Sequence, residues 1–205
     1  MICLRPNKIA LILCCVLPLA SACSGTSGKN YFPLADGSKW EYVGHVSSSD
    51  GSKQITIRAT ARVGGETLIK GKRYFKHVLT SDFSGGPAVS KQTEAVRYYR
   101  VSDDGIYFRT GNDPDGPELL EMPLPIPVGT KWLSGPVVVQ AERAGTITVE
   151  GREYRDCLKI TYRQQGARGS LENYLAPGVG IVKARDVDET EPKMTVELTL
   201  KKYEP

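Results

Sequence analysis

The 205-residue sequence is poor in the residues that build catalytic and metal sites. Its two histidines, His45 and His77, belong to no His-x-x-x-His or Cys/His cluster, so the sequence predicts no zinc site. It also lacks a Gly-x-Ser-x-Gly elbow and a phosphate-binding Gly-x-x-x-x-Gly-Lys-[Ser/Thr] loop. We therefore expect no catalytic residues, no metal and no cofactor. A hydrolase whose residues converge only in the folded chain is a lesser alternative.

The sequence also has few cysteines and a small net charge. Of five cysteines, Cys157 is the only one that follows residue 23, so no internal disulfide is expected there. Alternation of side chains around Cys157 predicts a small buried thiol. The formal net charge of +4 falls to +2 without Arg5 and Lys8, which is too weak for a nucleic-acid partner. No run of 18 apolar residues follows the leader, so no later helical membrane span is predicted.

What the sequence does contain is an export signal. Arg5 and Lys8 precede an apolar stretch over residues 9–20, which is too short to cross a bilayer and fits the apolar core of a signal peptide. Ala20-Ser21-Ala22-Cys23 follows, and the ordinary Ala-x-Ala rule places cleavage between Ala22 and Cys23. Plain secretion is therefore one interpretation of this segment.

Small residues that end at a cysteine also resemble the lipobox of bacterial lipoproteins. That resemblance implies acylation of the Cys23 thiol with palmitate-type chains, and usually of the new amino group as well. Several acyl chains anchor a protein firmly to a bilayer. Ser24, in place of Asp after the cysteine, implies sorting to the outer membrane, with the body facing the periplasm. We thus expect a helical signal peptide at 1–22 and a lipidated cysteine with a flexible tether at 23–30.

The rest of the chain has the pattern of an all-β protein. Apolar and polar residues alternate over 54–63 and 194–201, as in half-buried antiparallel strands. Asp104-Gly105 predicts a tight turn that joins 96–101 to 106–110 in a hairpin. We find no convincing amphipathic helix. The expected architecture is antiparallel sheets that form a curved sheet, a sandwich or a barrel-like structure.

An internal repeat indicates two tandem related halves. Three pairs of segments recur in the same order: 33–40 with 125–132, 71–74 with 151–154, and 99–106 with 174–181. Chance reuse of turn residues is the alternative. The predicted organisation is a first β half at 31–110, a Pro/Gly-rich connector at 111–124 and a second β half at 125–205. Proline cannot donate to a strand ladder, so we expect the connector on the surface or along a sheet edge.

Trp40 and Trp132 occupy equivalent positions in this repeat. We expect both to pack into the core and to donate the indole N–H to a nearby acceptor. An exposed tryptophan that stacks on a ligand is the alternative interpretation.

Two further segments resemble a pattern in uncharacterised bacterial outer-membrane and periplasmic lipoproteins. They are the opening Tyr31-Phe-Pro-Leu…Gly37…Trp40-Glu-Tyr42 and the later Tyr174-Leu-Ala-Pro177-Gly178-Val-Gly180-Ile-Val-Lys. The resemblance implies no activity and no catalytic residues. We interpret Tyr174, Pro177, Gly178 and Gly180 as a rigid turn that fixes strand register, with a ligand-binding loop as the alternative.

These observations favour a non-catalytic lipoprotein of the cell envelope. Its partners would be the membrane, through the lipid, and another envelope component that the β-domain binds or holds in place. The alternative is a carrier or sensor of an apolar ligand, which would need a cavity of a few hundred Å³.

The first prediction concerns the mature amino terminus. Mass spectrometry of the protein extracted from membranes should find Cys23 as the first residue, carrying several acyl chains. Cys23→Ser removes the acylated thiol and should release the protein from the membrane. An unmodified Cys23 with a free amino group would instead establish plain secretion.

Overall fold

The computed structural model describes residues 30–84, 91–111 and 113–205. The predicted signal peptide and the Ala22–Cys23 junction lie outside the described residues. Every regular element in the described ranges is a β-strand. No helix in those ranges has the length and apolar character needed to cross a membrane.

Twelve strands form one continuous sheet. Their bounds are β1 Lys39–Ser48, β2 Gln54–Ile69, β3 Lys72–Ser84, β4 Lys91–Ser102, β5 Gly105–Thr110, β6 Leu119–Pro123, β7 Lys131–Ser134, β8 Val137–Val149, β9 Arg152–Gln164, β10 Gly169–Ala176, β11 Gly180–Asp188 and β12 Met194–Glu204.

The strands follow one another around the sheet in sequence order, and β1 closes the order by pairing with β12. Every ladder is antiparallel. The sheet is therefore a nearly closed, barrel-like meander whose two edges are β6 and β7. The all-β antiparallel prediction is confirmed, and of the three closures left open by the sequence the barrel-like one occurs.

The predicted hairpin at Asp104-Gly105 is confirmed, with Val101 opposite Ile106. The predicted strand at 54–63 is longer than its alternating pattern, because it continues to Ile69 beyond a bulge at Gly64-Gly65. Gly65 has a φ of 62°, which glycine adopts without a Cβ clash. The bulge reverses the order in which side chains alternate between the two faces of the strand. The alternating sequence pattern therefore ends at residue 63, before the strand does.

The connector contributes a strand that the sequence analysis did not predict. Residues 119–123 form β6 and pair with β5 at the edge of the sheet. The prolines on both sides keep this strand short, since proline has no N–H for a ladder.

The odd-numbered strands all run in the same direction, because neighbours in the sequence-ordered sheet are antiparallel. This gives the sheet two distinct ends. The near end carries the turns at 70–71, 103–104, 150–151 and 177–179, together with the start of β1. The far end carries those at 49–53, 135–136, 165–168 and 189–193.

The segment before β1 fills the near end. Tyr31 is buried and donates its hydroxyl to the Asp156 carbonyl at 2.8 Å. Phe32 packs edge-on against Tyr99, with ring centroids 4.8 Å apart. The Gly178 N–H donates to the Asn30 carbonyl at 2.6 Å. These contacts seal the near end, where the chain enters the sheet.

β1 and β12 approach each other unusually closely at Gly44. A Cβ at this position would overlap the main-chain oxygen of Glu197 and lie 2.7 Å from its carbonyl carbon. Only glycine fits here without moving one of the two strands.

Gly44→Ala should therefore destabilise the protein by about 1–3 kcal/mol, the usual cost of forcing atoms into a packed site. Urea unfolding followed by circular dichroism measures this change. Gly64→Ala is the matched control, because a Cβ at Gly64 would meet no atom within 4 Å. Equal stability of the two variants would contradict the close approach of β1 and β12.

Candidate functional site

The far end contains a cleft of about 520 Å³, bordered by the ends of β8, β9, β10 and β11. Tyr162, Leu171 and Asp186 lie side by side, because Leu171 is paired with Tyr162 on β9 and with Asp186 on β11. Val137 borders the same space. Clefts of this volume are typical of small-molecule sites.

Charged side chains share the lining with these apolar groups. Arg168 comes from the β9–β10 turn, and Asp186 and Asp188 come from β11. Burial, followed by the charge of Asp188, raises the pKa of Asp186. Hydrogen bonds from the Thr190 hydroxyl and main chain lower the pKa of Asp188. The cleft is thus amphipathic and suits a ligand that has both apolar and polar parts.

A buried polar cluster adjoins the cleft through Tyr162. The Tyr162 hydroxyl donates to Glu121 Oε1 at 2.8 Å, and Arg97 Nη1 lies 3.7 Å from Glu121 Oε2. Arg97 Nη1 also donates to the Tyr99 hydroxyl at 3.3 Å. Glu121 is 5% exposed. A carboxylate so deeply buried requires partners of this kind.

Burial fixes the protonation of these phenols. It raises the pKa of Tyr99 to about 12 and the pKa of Tyr162 well above its ordinary value. The neighbouring Tyr99 and Glu121 raise the pKa of Arg97. At neutral pH both tyrosines are therefore uncharged phenols, and Arg97 carries a positive charge.

His77 lies among aromatic rings on the same side of the sheet. Its ring centroid is 6.2 Å from that of Trp40 and 5.7 Å from that of Tyr99. Burial, followed by the positive charge of Arg97, lowers the pKa of His77 to about 4. The imidazole is consequently neutral at physiological pH and behaves as part of the aromatic packing.

A second cluster holds the connector to the opposite face of the sheet. Glu118 accepts hydrogen bonds from Tyr74 at 2.6 Å and from Arg100 at 2.7 and 3.0 Å. Arg109 bonds the Tyr74 hydroxyl at 2.9 Å and also the Gly116 carbonyl. Arg100, followed by Tyr74 and Lys72, holds the pKa of Glu118 at about 2 against a smaller, opposing effect of burial. These hydrogen bonds and ion pairs fix the connector to the outer face of the sheet.

The two repeat tryptophans have different surroundings. Trp40 is buried and donates its indole N–H to the Val179 carbonyl at 2.6 Å. Trp132 is half-buried and donates to the Glu121 carbonyl at 3.1 Å. Trp40 thus contributes to the near end, and Trp132 touches the polar cluster.

The other predicted motif residues lie at the near end and not at the cleft. Pro177 and Gly178 form the turn between β10 and β11, where Gly178 has a φ of 73°. Gly180 has a φ of 87°, and a Cβ there would lie 3.4 Å from Pro33 and 3.7 Å from the Trp40 indole nitrogen. Tyr174 precedes this turn on β10, half-buried, with Lys183 Nζ 5.9 Å from its ring.

Cys157 is buried, and its thiol lies 3.3 Å from the Tyr154 carbonyl. Burial raises the pKa of this thiol, which keeps it protonated. The prediction of a buried thiol is confirmed. Over 30–84, 91–111 and 113–205, no three His, Cys, Asp or Glu side chains converge as metal ligands would.

Sequence reasoning missed the cleft and its polar cluster. Glu121 carried one usable signal, because it interrupts the apolar run Leu119–Met122 with a charge. Arg97 and Tyr162 carried none, since they meet Glu121 only when distant strands come together.

No protein-family model matches the sequence, and no curated protein matches it. Solved structures with similar folds include a provisionally assigned exported protein with a YmcC-like fold from Bacteroides fragilis, with 12% identity and a TM-score of 0.47 over 86% of this chain and 100% of that one. A provisionally assigned lipoprotein from Parabacteroides distasonis has 12% identity and a TM-score of 0.38 over 86% and 99% of the two chains.

A third similar structure is a provisionally assigned outer-membrane lipoprotein-sorting protein domain from Vibrio parahaemolyticus. It has 8% identity and a TM-score of 0.25 over 82% of this chain and 85% of that one. Likenesses of this size assign neither a family nor an activity, so the function has to be argued from this chain's own residues.

The lowered pKa of His77 predicts a specific pH dependence of stability. Between the ordinary value of 6.5 and about 4, the unfolded chain binds a proton that the folded chain excludes. The free energy of unfolding should therefore fall as the pH drops through this window, by at most about 1.4 kcal/mol per pH unit from this group. In His77→Gln that part of the slope should vanish.

Urea unfolding of both proteins between pH 7 and pH 4 measures the difference in slope. His45→Gln, which removes the exposed histidine of β1, shows whether an effect belongs to His77 or to histidine loss in general. Parallel curves for wild type and His77→Gln would disprove the assignment.

Proposed function

We propose that this chain is a lipid-anchored protein of the bacterial cell envelope and that its sheet is a non-catalytic binding module. The ligand site is the far-end cleft, and the ligand is an amphiphile. The supporting observation is the cleft itself, whose volume of about 520 Å³ and mixed lining distinguish it from the packed near end.

The placement of the two ends supports this proposal. Asn30 is held at the near end by Gly178, and it lies seven positions after Cys23 in the sequence. A chain of that length spans at most about 25 Å. A lipid on Cys23 therefore keeps the near end close to the bilayer and presents the cleft away from it, towards the periplasm.

The side chains that line the cleft indicate which kind of ligand it can bind. A carrier of a wholly apolar molecule would line its cavity with aliphatic and aromatic groups, but Arg168, Asp186 and Asp188 border this cleft. Their charges would lose hydration against a purely apolar ligand at a substantial cost. A ligand with polar groups at one end and an apolar part near Val137 and Leu171 satisfies both kinds of lining.

The surroundings of His77 support a non-catalytic role. A general base needs a pKa near the working pH and access to the reacting proton. His77 instead lies between Trp40 and Tyr99 and has a pKa of about 4. This favours binding over hydrolysis as the function of the module.

The cleft can be tested with 1-anilinonaphthalene-8-sulfonate, a fluorophore with an apolar ring system and a charged sulfonate, and the Cys23→Ser form of the protein in detergent-free buffer. Leu171→Trp adds a ring to the cleft lining and should weaken binding at least about tenfold, equal to ~1.4 kcal/mol. Fluorescence titration gives the dissociation constants.

The matched control is Leu68→Trp, the same substitution at a leucine that is 73% exposed on the near-end β2–β3 hairpin. It should bind the fluorophore as the parent protein does. Equal weakening in both variants, or no binding by the parent, would refute the cleft as the ligand site.

A further inference from the structure

The sheet has one junction of a different kind from the others. We define the seam as the meeting of β6 with β7, the two edge strands. Among the described strands, each of the other neighbouring pairs has a register of opposed residues, whereas the seam has none. Side chains must therefore hold it together.

Glu121 of β6 is the residue on which these side chains converge. Its main-chain carbonyl accepts the indole N–H of Trp132, on β7, at 3.1 Å. Its carboxylate accepts the hydroxyl of Tyr162, on β9, at 2.8 Å. Both contacts tie β6, the last strand of the first six, to strands of the second six.

Tyr162 belongs to the seam and to the cleft at once. Its hydroxyl reaches Glu121, and the residue also borders the cleft beside Leu171 and Val137. Val137 opens β8 directly after the short β7, so the cleft lies next to the seam. A separation of β6 from β7 would extend the cleft sideways through the sheet.

We propose that the seam is a lateral gate to the cleft and that the Tyr162–Glu121 hydrogen bond holds it shut. The gate deepens the proposed function, on whose ligand site it rests. The Trp132 and Tyr162 side chains each donate one hydrogen bond to Glu121 across the seam, whereas ten paired residues join β1 to β12. Local opening takes place where the fewest interactions must break, so the sheet opens at the seam first.

The two tryptophans provide an internal pair of probes, because they are the only ones in the chain. The Trp132 indole N–H is bonded across the seam, and the Trp40 indole N–H is bonded to Val179 at the near end. Exchange of each indole proton with solvent can be followed by nuclear magnetic resonance on the full mature chain carrying Cys23→Ser. Trp132→Phe assigns the two signals.

Tyr162→Phe removes the hydroxyl and keeps the ring. It should accelerate exchange of the Trp132 indole proton about fivefold, the effect of losing one buried hydrogen bond, and leave that of Trp40 unchanged. Tyr42→Phe is the matched control, since it removes a hydroxyl that donates to the Ile181 carbonyl at 3.1 Å, away from the seam. This control should not change the exchange of Trp132.

Unchanged exchange of Trp132 in Tyr162→Phe, or equal acceleration of both tryptophans, would overturn the gate. As a second readout, the association rate constant of 1-anilinonaphthalene-8-sulfonate should rise in Tyr162→Phe and not in Tyr42→Phe. Faster indole exchange with an unchanged association rate would overturn the seam as the access route. Absence of fluorophore binding by the parent protein would refute the proposed function separately, because indole exchange is measured without a ligand.

Discussion

β1 and β12 pair over the whole length of β1, from Lys39 opposite Glu204 to Ser48 opposite Met194. This ladder joins two runs of six strands that would otherwise each end in two open edges. Open edges leave unpaired N–H and C=O groups that attract other chains. The ladder removes two of the four edges and requires Gly44, where the strands come too close for any side chain. The curvature that brings β6 towards β7 then follows from the shared right-handed twist of neighbouring strands.

The two ends of the sheet differ in how the described residues fill them. Tyr31 and Leu34, which precede β1, are buried with Trp40, Cys157 and Val182 in a single core. The far end receives no such segment within the described ranges, and its inward positions carry a mixture of half-buried apolar groups and charges. Burial of apolar surface thus stabilises the near end. The cleft lies at the opposite end, where no described segment is packed in the same way.

Much of this fold could be predicted from local patterns. Alternation at 54–63 and 194–201, together with the turn at Asp104-Gly105, predicted strands and a hairpin that the structure confirms. The bulge at Gly64-Gly65 and the strand Leu119–Pro123 were missed, because a shift in alternation and a five-residue run leave little periodicity. The cleft was beyond prediction, since Tyr162, Leu171 and Asp186 become neighbours only through the registers of three strands.

The twelve strands form two runs of six, β1–β6 and β7–β12. β1 and β7 are the first strands of these runs, and β6 and β12 are the last. The β1–β12 ladder and the seam are therefore corresponding junctions with different chemistry. β12 has 11 residues and supports a ladder, whereas β6 has five and ends at Pro123, which has no N–H to donate.

Each of these two junctions has one tryptophan beside it. Trp40 stacks on Tyr203 of β12, with ring centroids 5.2 Å apart, beside a complete ladder. Trp132 instead donates its indole N–H to the Glu121 carbonyl across the seam, where no ladder is present. Burying Glu121 at such a junction is costly, and a hydrophobic residue would close it more cheaply. Glu121 has three specific partners, which are Arg97, Trp132 and Tyr162, and directional contacts of this kind define one geometry of the seam in a way that a hydrophobic residue would not.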